Sequence, residues 1–573
     1  MKRRQTRGAL ASIHSKNMTN NSTQNSEDEN VPEVGSDVEN DPDGIVDQSS
    51  DETEDEEQEE DDETTEDSEW ISEDDGNFPV YPRIPRFNGP KFAPNSTHSR
   101  KLFSLVNAHS FSPLKWFFEY LSEAFWAKIV EFTNSQAEEY SEWETLTLSE
   151  LWIFLSILFL RALKSPPSYR HLWKTDWKFE CPTMAKIGMS VRRFEIIRKY
   201  LKFNNGEENA DDAYWRVRTI IDELRENCKK VLKLPEKLSL DEMSPAFRGR
   251  TKLTISMRNK KSKKHFNIRA ITTTNGSLYT FFLRKEELSP VTVGGEDYAQ
   301  LSPISKSVVH LINQLPENWH HIFVDNYYTN VPLFKYLYSH CKTVISGTWR
   351  ESKEIPNCLS LSDKELVQSQ ENQRLIAAID STTDNSSLIV TGCGFIGTKG
   401  KPVHFLSTGR YDWTLKEGGT KNMSRLDAIH DYNSFMHGND ILDAVLAKYS
   451  VYFRSQRWTM RLASWAIDTA VACGFINAKY IGIERTSDCL HADWISKLID
   501  ELLEKAGKDI QNGNGSGIVV HLPVHLGDKI NRKMCVVCWK NEKKNRKTYY
   551  MCNKCQVGLC INKSCFAMYE HKN

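Results

Sequence analysis

Lys237-Leu238-Ser239-Leu240-Asp241-Glu242-Met243-Ser244-Pro245-Ala246-Phe247-Arg248-Gly249-Arg250 is the stretch whose reading decides the fold. Leu238 and Leu240 alternate with Ser239 and run into Asp241, the pattern of a short strand that delivers a carboxylate at its end. From Met243 to Lys285 there are eleven Lys/Arg and no Asp or Glu. Taken alone this is a capped strand followed by a solvated basic loop. Set against the rest of the chain, a carboxylate beside so much basic surface points to a polyanionic ligand, with Arg248, Arg250, Lys260, Lys261, Lys263 and Lys264 as candidate contacts.

The period of two continues outward from that stretch. Ile268–Thr274, the turn pair Asn275-Gly276 and Leu278–Leu283 predict a hairpin. His321-Ile322-Phe323-Val324 predicts a second short strand that also ends in a carboxylate, Asp325. Val331–His340 then turns helical, residues 346–424 are mixed and loop-rich as in an insertion, and Ala428–Lys448 and Trp458–Gly474 return to helix. Upstream, apolar residues recur at helical spacing from Trp116 to Phe132, over 151–163 behind Ser149-Glu150, from Phe194 to Leu201 and from Val217 to Leu224. That part reads as all-α, with its aromatics as core.

Charge is segregated along the 573 residues, too many for one core. Residues 27–75 hold 26 Asp/Glu and no Lys/Arg, so the remainder carries 51 acidic against 74 basic residues, about +23, although the whole chain is formally −3. A disordered acidic arm (residues 1–76), a Pro-rich linker (77–99) and a basic body are the pattern of a nucleic-acid binder. The alternative is a tail that only solubilises. Met1-Lys2-Arg3-Arg4 has no apolar run behind it, and the run Leu151–Leu160 is half a membrane span closed by Arg161, so neither secretion nor a membrane is expected.

Three carboxylate positions combine into a candidate centre: Asp241 and Asp325 at strand ends, and Asp440 with Asp443 on one side of a helix. Carboxylates from separate elements suit Mg²⁺ or Mn²⁺, which clamp the oxygens of a phosphoryl displacement. Of thirteen cysteines, six lie between Cys535 and Cys565. Cys535-x2-Cys538 and Cys552-x2-Cys555, with Cys560, Cys565 and His571, give seven zinc ligands, and His521 is the choice for the eighth of two closed sites, with His525 close behind. Trp539, Lys540, Lys543, Lys544, Arg546 and Lys547 favour an anion for this module, although its interleaved ligand order also suits a RING-type ubiquitin ligase.

Leu240-Asp241-Glu242 with Phe247-Arg248-Gly249-Arg250, Val324-Asp325-Asn326-Tyr327-Tyr328-Thr329, and Met436-His437-Gly438-Asn439-Asp440-Ile441-Leu442-Asp443 resemble the three catalytic motifs of piggyBac-type transposases. Ser112-Pro113 to Thr133-Asn134, Phe194 to Asn205, His404 to Thr408, Arg457-Trp458 and the terminal cysteine module extend the resemblance from about residue 110 to the C-terminus.

The resemblance implies an α/β fold in pieces. Helical dimerisation and DNA-binding segments (100–236 and 450–520) would flank an RNase H-like core (237–345 and 425–449) interrupted by an insertion (346–424), with a zinc domain at 521–573. It implies Asp241, Asp325 and Asp440 as metal-binding catalytic carboxylates beside Asp443, Arg457 and Trp458 as DNA contacts, and two zinc ions in the terminal module. It further implies a homodimer that cuts transposon ends from double-stranded DNA and integrates at TTAA, with chromatin as a further partner. DNA as substrate places the protein in the nucleus, and Lys540–Lys547 is a candidate localisation signal. Ala444 stands where the family usually has Gln, Lys260-Lys261 and His265-Phe266 replace its Lys-Pro and Gly, and Ala472-Cys473 replaces a frequent Asn. Such departures suit a domesticated, catalytically silent DNA- or chromatin-binding relative as the alternative.

Overall fold

The computed structural model describes residues 70–72, 108–174, 184, 187–257, 263–286, 288, 294–349, 375–383, 386–396, 402–409, 415–416, 425–481, 490–511, 523–526, 532–552, 555–561, 565 and 569. Helices α1 (Pro113–Tyr120) and α2 (Glu123–Ala137) replace the single helix expected from Trp116 to Phe132. The break is written in side chains. Ser112 caps α1 ahead of a proline at its first turn, and Ser122 caps α2 by accepting the Phe125 N–H at 3.1 Å. The Ser122 hydroxyl also donates to Glu223 at 2.6 Å, tying the break to another helix.

Helix α3 (Leu148–Lys164) is capped by Thr147, and its side chains from Leu151 to Leu160 are all buried. Helices α4 (Val191–Tyr200) and α5 (Arg218–Val231) follow. No helix among the described residues is long and apolar enough to cross a membrane.

A mixed sheet carries the candidate site. Its strands are β1 (Trp70–Ser72), β2 (Lys237–Met243), β3 (Ile268–Thr273), β4 (Leu278–Leu283), β5 (His321–Val324), β6 (Val344–Trp349), β7 (Leu375–Thr383), β8 (Ser386–Ile396) and β9 (Pro402–Ser407), in the order β1-β7-β8-β9-β6-β5-β2-β3-β4. The hairpin β3–β4 turns at Asn275-Gly276 as expected, with Gly276 at φ +92°. Strands β2, β5 and β6 run parallel, which requires crossovers, and α6 (Pro303–Ile312) and α7 (Val331–Ser339) supply helices there. The described strands of the expected insertion continue the same sheet, because β9 pairs with β6 from His404↔Trp349 to Ser407↔Ser346.

Within the arm expected to be disordered, Trp70–Ser72 pairs antiparallel to β7. Trp70 and Ile71 are the only apolar residues between Val46 and Phe78, and both favour strands.

Beyond the sheet, the helix expected over 428–448 is two, α8 (Asp427–Phe435) and α9 (Gly438–Leu446). Helix α10 (Trp458–Tyr480) is buried from Leu462 to Ala478, and α11 (His491–Gln511) follows. Helix α10 returns to α1: Asn477 donates to the Tyr120 hydroxyl at 2.6 Å, and Gly474 leaves room for Trp116. Helices from both ends of the chain thus share one core with the sheet. Arg461 ties them further by donating to the Ala246 carbonyl at 2.9 Å.

Candidate active site and cysteine centre

The parallel pairing of β2 and β5 sets Leu240 opposite Val324, so Asp241 and Asp325 follow from neighbouring positions. Both leucines of β2 and all four residues of β5 are buried, which fixes this register against a slip that would reverse every side chain. Asp241 accepts the Glu242 N–H at 2.7 Å. Burial pushes its carboxyl up to about 7 against that hydrogen bond, and the charges of Asp325, Glu242 and Asp440 push it further in the same direction. After Asp325 the chain turns tightly, its carbonyl accepting the Tyr328 N–H at 3.1 Å and the Thr329 hydroxyl at 3.1 Å.

Asp440 arrives in the first turn of α9. Asn439 docks that turn on the sheet: it accepts from the Thr272 hydroxyl at 2.5 Å and donates to the Ala270 carbonyl at 3.2 Å. Gly438 lies so close to β3 that a Cβ there would collide with the Thr272 hydroxyl and the Thr273 carbonyl. Ser239 of β2 donates to the Met436 carbonyl at 2.6 Å. These contacts explain why the expected long helix is broken at 436–437. His437 Nδ1 lies 3.2 Å from Asp440 Oδ2.

Asp440 and Asp443 are exposed, and Asp241 and Asp325 half-buried. The charges of Asp325 and Asp440 both reach Asp241, but the three carboxylates do not close into a shell. Among the described residues, only a cysteine group brings three or more metal-capable side chains within 4.8 Å of one another. All the oxygen donors fit a hard divalent cation, and the raised Asp241 carboxyl is what an approaching cation would reverse.

Arg248, Arg250 and Lys263 are exposed and Lys264 is half-buried, while Lys260 and Lys261 lie outside the described residues. Arg457 lies against the end of α4. Its guanidinium donates to the carbonyls of Lys199 (2.7 Å), Arg198 (3.3 Å) and Leu201 (3.3 Å), which close the C-terminus of α4. Trp458 is half-buried, edge-on to Tyr214 at 6.2 Å. Arg457, immediately before α10, thus ties the start of that helix to the end of α4. Gly438 and Asn439 carry no charge, and in the sequence only their place within the Met436–Asp443 motif marks them.

In the terminal module Cys535, Cys538, Cys560 and Cys565 form the group within 4.8 Å. Cys538 Sγ lies 3.5 Å from Cys565 Sγ and 3.9 Å from Cys560 Sγ, beside the roughly 3.8 Å that tetrahedral zinc–thiolate geometry requires. The Cys560 N–H points at Cys535 Sγ at 3.4 Å. Cys552 and Cys555 fall between the two pairs in sequence but outside this group, with the Cys555 N–H on Cys552 Sγ at 3.3 Å. His521 and His571 lie outside the described residues. Two of the expected ligands, Cys552 and Cys555, thus interrupt this set in sequence, and the four sulfurs fit one zinc ion.

Residues 112–475 match the family model described as Transposase IS4. The chain is 26% identical over 377 residues to human PiggyBac transposable element-derived protein 2, covering 64% of this chain and 61% of that protein. It is 23% identical over 454 residues to human PiggyBac transposable element-derived protein 3, covering 76% of this chain and 72% of that protein. Its fold matches a piggyBac transposase solved by cryo-EM as a synaptic complex with hairpin DNA, with a TM-score of 0.62 at 18% identity, over 80% of this chain and 98% of that one. The chain therefore belongs to the Transposase IS4 family, among the piggyBac-type proteins.

Proposed function

We propose that the protein is a metal-dependent DNA transposase in which Asp241, Asp325 and Asp440 hold Mg²⁺ or Mn²⁺ for strand cleavage and transfer at transposon ends, with TTAA as the target. The observation that carries this reading is the register of β2 on β5, which presents two carboxylates together while Asn439 docks the helix bearing the third. The sheet order β4-β3-β2-β5-β6 supports an RNase H-like core built from 237–345 and 425–449. The bound cations would supply activation of the attacking oxygen and neutralisation of the departing one. Asp241 and Asp325 would anchor them at the sheet, and Asp440 would close over them from α9, with Asp443 one turn further on.

Exposed Arg248, Arg250 and Lys263 would take the DNA backbone, and the helical segments 100–236 and 450–520 would hold it and a second copy of the chain. The cysteine module would bind two zinc ions and contact transposon ends or chromatin. A nuclear location follows from the substrate.

The test is nicking and strand transfer on supercoiled DNA with Mn²⁺, beside gel-shift measurement of binding. Asp325→Asn should abolish nicking and leave binding within about twofold, because a metal ligand and not a DNA contact is removed. Equal nicking by Asp325→Asn would refute the assignment. Tight DNA binding with no nicking by the unaltered protein would favour the second reading, a catalytically silent DNA-binding relative, for which exposed Asp440 and the departure at Ala444 already speak.

A further inference from the structure

The imidazole of His437 faces the carboxylate of Asp440, with Nδ1 3.2 Å from Oδ2. Surface contacts of this kind are ordinary, as His340 on Asp297 at 2.8 Å shows. Two features set His437 apart. The Asp440 charge reaches Asp241, so this pair belongs to the carboxylate site and not to open surface. The root of the ring is also fixed on both sides. The Met436 carbonyl accepts from Ser239 at 2.6 Å, and Gly438 is packed so tightly on Thr272 and Thr273 that no Cβ fits. The His437 carbonyl then accepts the Ile441 N–H at 3.0 Å as α9 opens. The two side chains stay accessible, His437 at 51% and Asp440 at 69% exposure, so a solvated cation can reach both.

Two donors at right angles on one ion, each about 2.1 Å from it, stand about 3.0 Å apart. The separation of His437 Nδ1 from Asp440 Oδ2 is close to that edge. It is also a hydrogen-bond distance, and the two roles differ in where the ring hydrogen sits. On Nδ1 it bridges to the carboxylate; on Nε2 it leaves the Nδ1 lone pair to a metal. We propose that His437 is a ligand of the ion held by Asp440, adding one nitrogen to an otherwise all-oxygen site. The assignment rests on the metal-dependent reading above. Its consequence is selectivity. Mg²⁺ is a hard ion that gains little from imidazole, whereas first-row divalent metals accept it. Mn²⁺ is therefore bound in preference to Mg²⁺, and His437 makes the difference.

The experiment is pulsed electron paramagnetic resonance on the full chain with substoichiometric Mn²⁺, beside competition by Mg²⁺ for the same site. Echo modulation from a directly bound nitrogen nucleus should appear in the unaltered chain and vanish in His437→Ala. The same substitution should weaken Mn²⁺ binding at least about tenfold and Mg²⁺ binding less than about twofold, with Tm unchanged. Modulation that persists in His437→Ala would overturn the ligand and leave the three carboxylates in place. So would its absence from an unaltered chain whose Mn²⁺ is lost in Asp325→Asn. Equal weakening of both ions would do the same, since it marks a hydrogen bond that only holds Asp440. Mn²⁺ that does not bind, or that binds Asp325→Asn equally well, would remove both readings.

Discussion

Leu240 and Val324 are register partners in parallel strands, and that one pairing determines where Asp241 and Asp325 emerge. The third carboxylate depends on a different contact, the hydrogen bond from Thr272 to Asn439. Asn439→Ala would strand the buried Thr272 hydroxyl and release the first turn of α9. It should cost about 1–3 kcal/mol of stability and reduce strand cleavage more than DNA binding. Urea unfolding and nicking assays on one preparation check both. A variant that loses stability but nicks normally would show that Asp440 needs no docking.

Asp468 offers a pH test remote from the carboxylates. It is buried on α10, accepts from the Ser450 hydroxyl at 2.5 Å and the Val451 N–H at 2.9 Å, and faces Arg161 and Arg461. Burial pushes it up to about 7 despite these partners. The folded value lies above the unfolded one of about 3.9. The stability this group contributes is therefore complete below about pH 4 and is lost as pH rises through 7. Asp468→Asn should flatten the fall in unfolding free energy between pH 5 and pH 8, and an unchanged slope in urea titrations would contradict the shift.

The module's metal should follow its sulfurs. The full chain is expected to carry two zinc ions by elemental analysis, and Cys538→Ser should lose the one held with Cys560 and Cys565. Cys552→Ser should lose the other. Mn²⁺ should not replace either, because thiolates select the softer ion. One zinc in the unaltered chain, absent only in Cys538→Ser, would reject the second site and with it His521.

The acidic arm should act as a competitor for the basic body. Deleting residues 1–76 removes 26 Asp/Glu and with them the Trp70–Ser72 strand. Non-specific DNA affinity should rise and its salt dependence steepen, since more phosphates are neutralised by the freed surface. Identical affinities and salt slopes for full-length and truncated chains would leave the arm a solubilising tail only.

Much of this was legible in residues whose meaning is local. The hairpin announced itself through Asn275-Gly276, and β2 and β5 through short apolar runs ending in Asp. The cysteine module was legible from its CxxC spacing, whereas which four sulfurs share a site came only from the fold. What stayed hidden depended on tertiary contact. Ser122 and Met436-His437 break helices that periodicity carries straight through, because a hydroxyl and a glycine find partners on elements distant in sequence. That the Arg457 guanidinium closes the end of α4 has no sequence mark, because the carbonyls it meets lie more than 250 positions away. That described strands within the expected insertion 346–424 continue the main sheet stayed hidden, because pairing between 344–349 and 402–407 cannot be seen across more than fifty intervening positions.

The most direct measurement is Mn²⁺ binding to the full chain, followed by electron paramagnetic resonance and located by anomalous diffraction in the presence of DNA. Mn²⁺ bound between Asp241, Asp325 and Asp440, and lost in Asp325→Asn while zinc is retained, is the predicted result. Mn²⁺ that binds elsewhere, or equally well to Asp325→Asn, would contradict the metal-dependent reading of these three carboxylates.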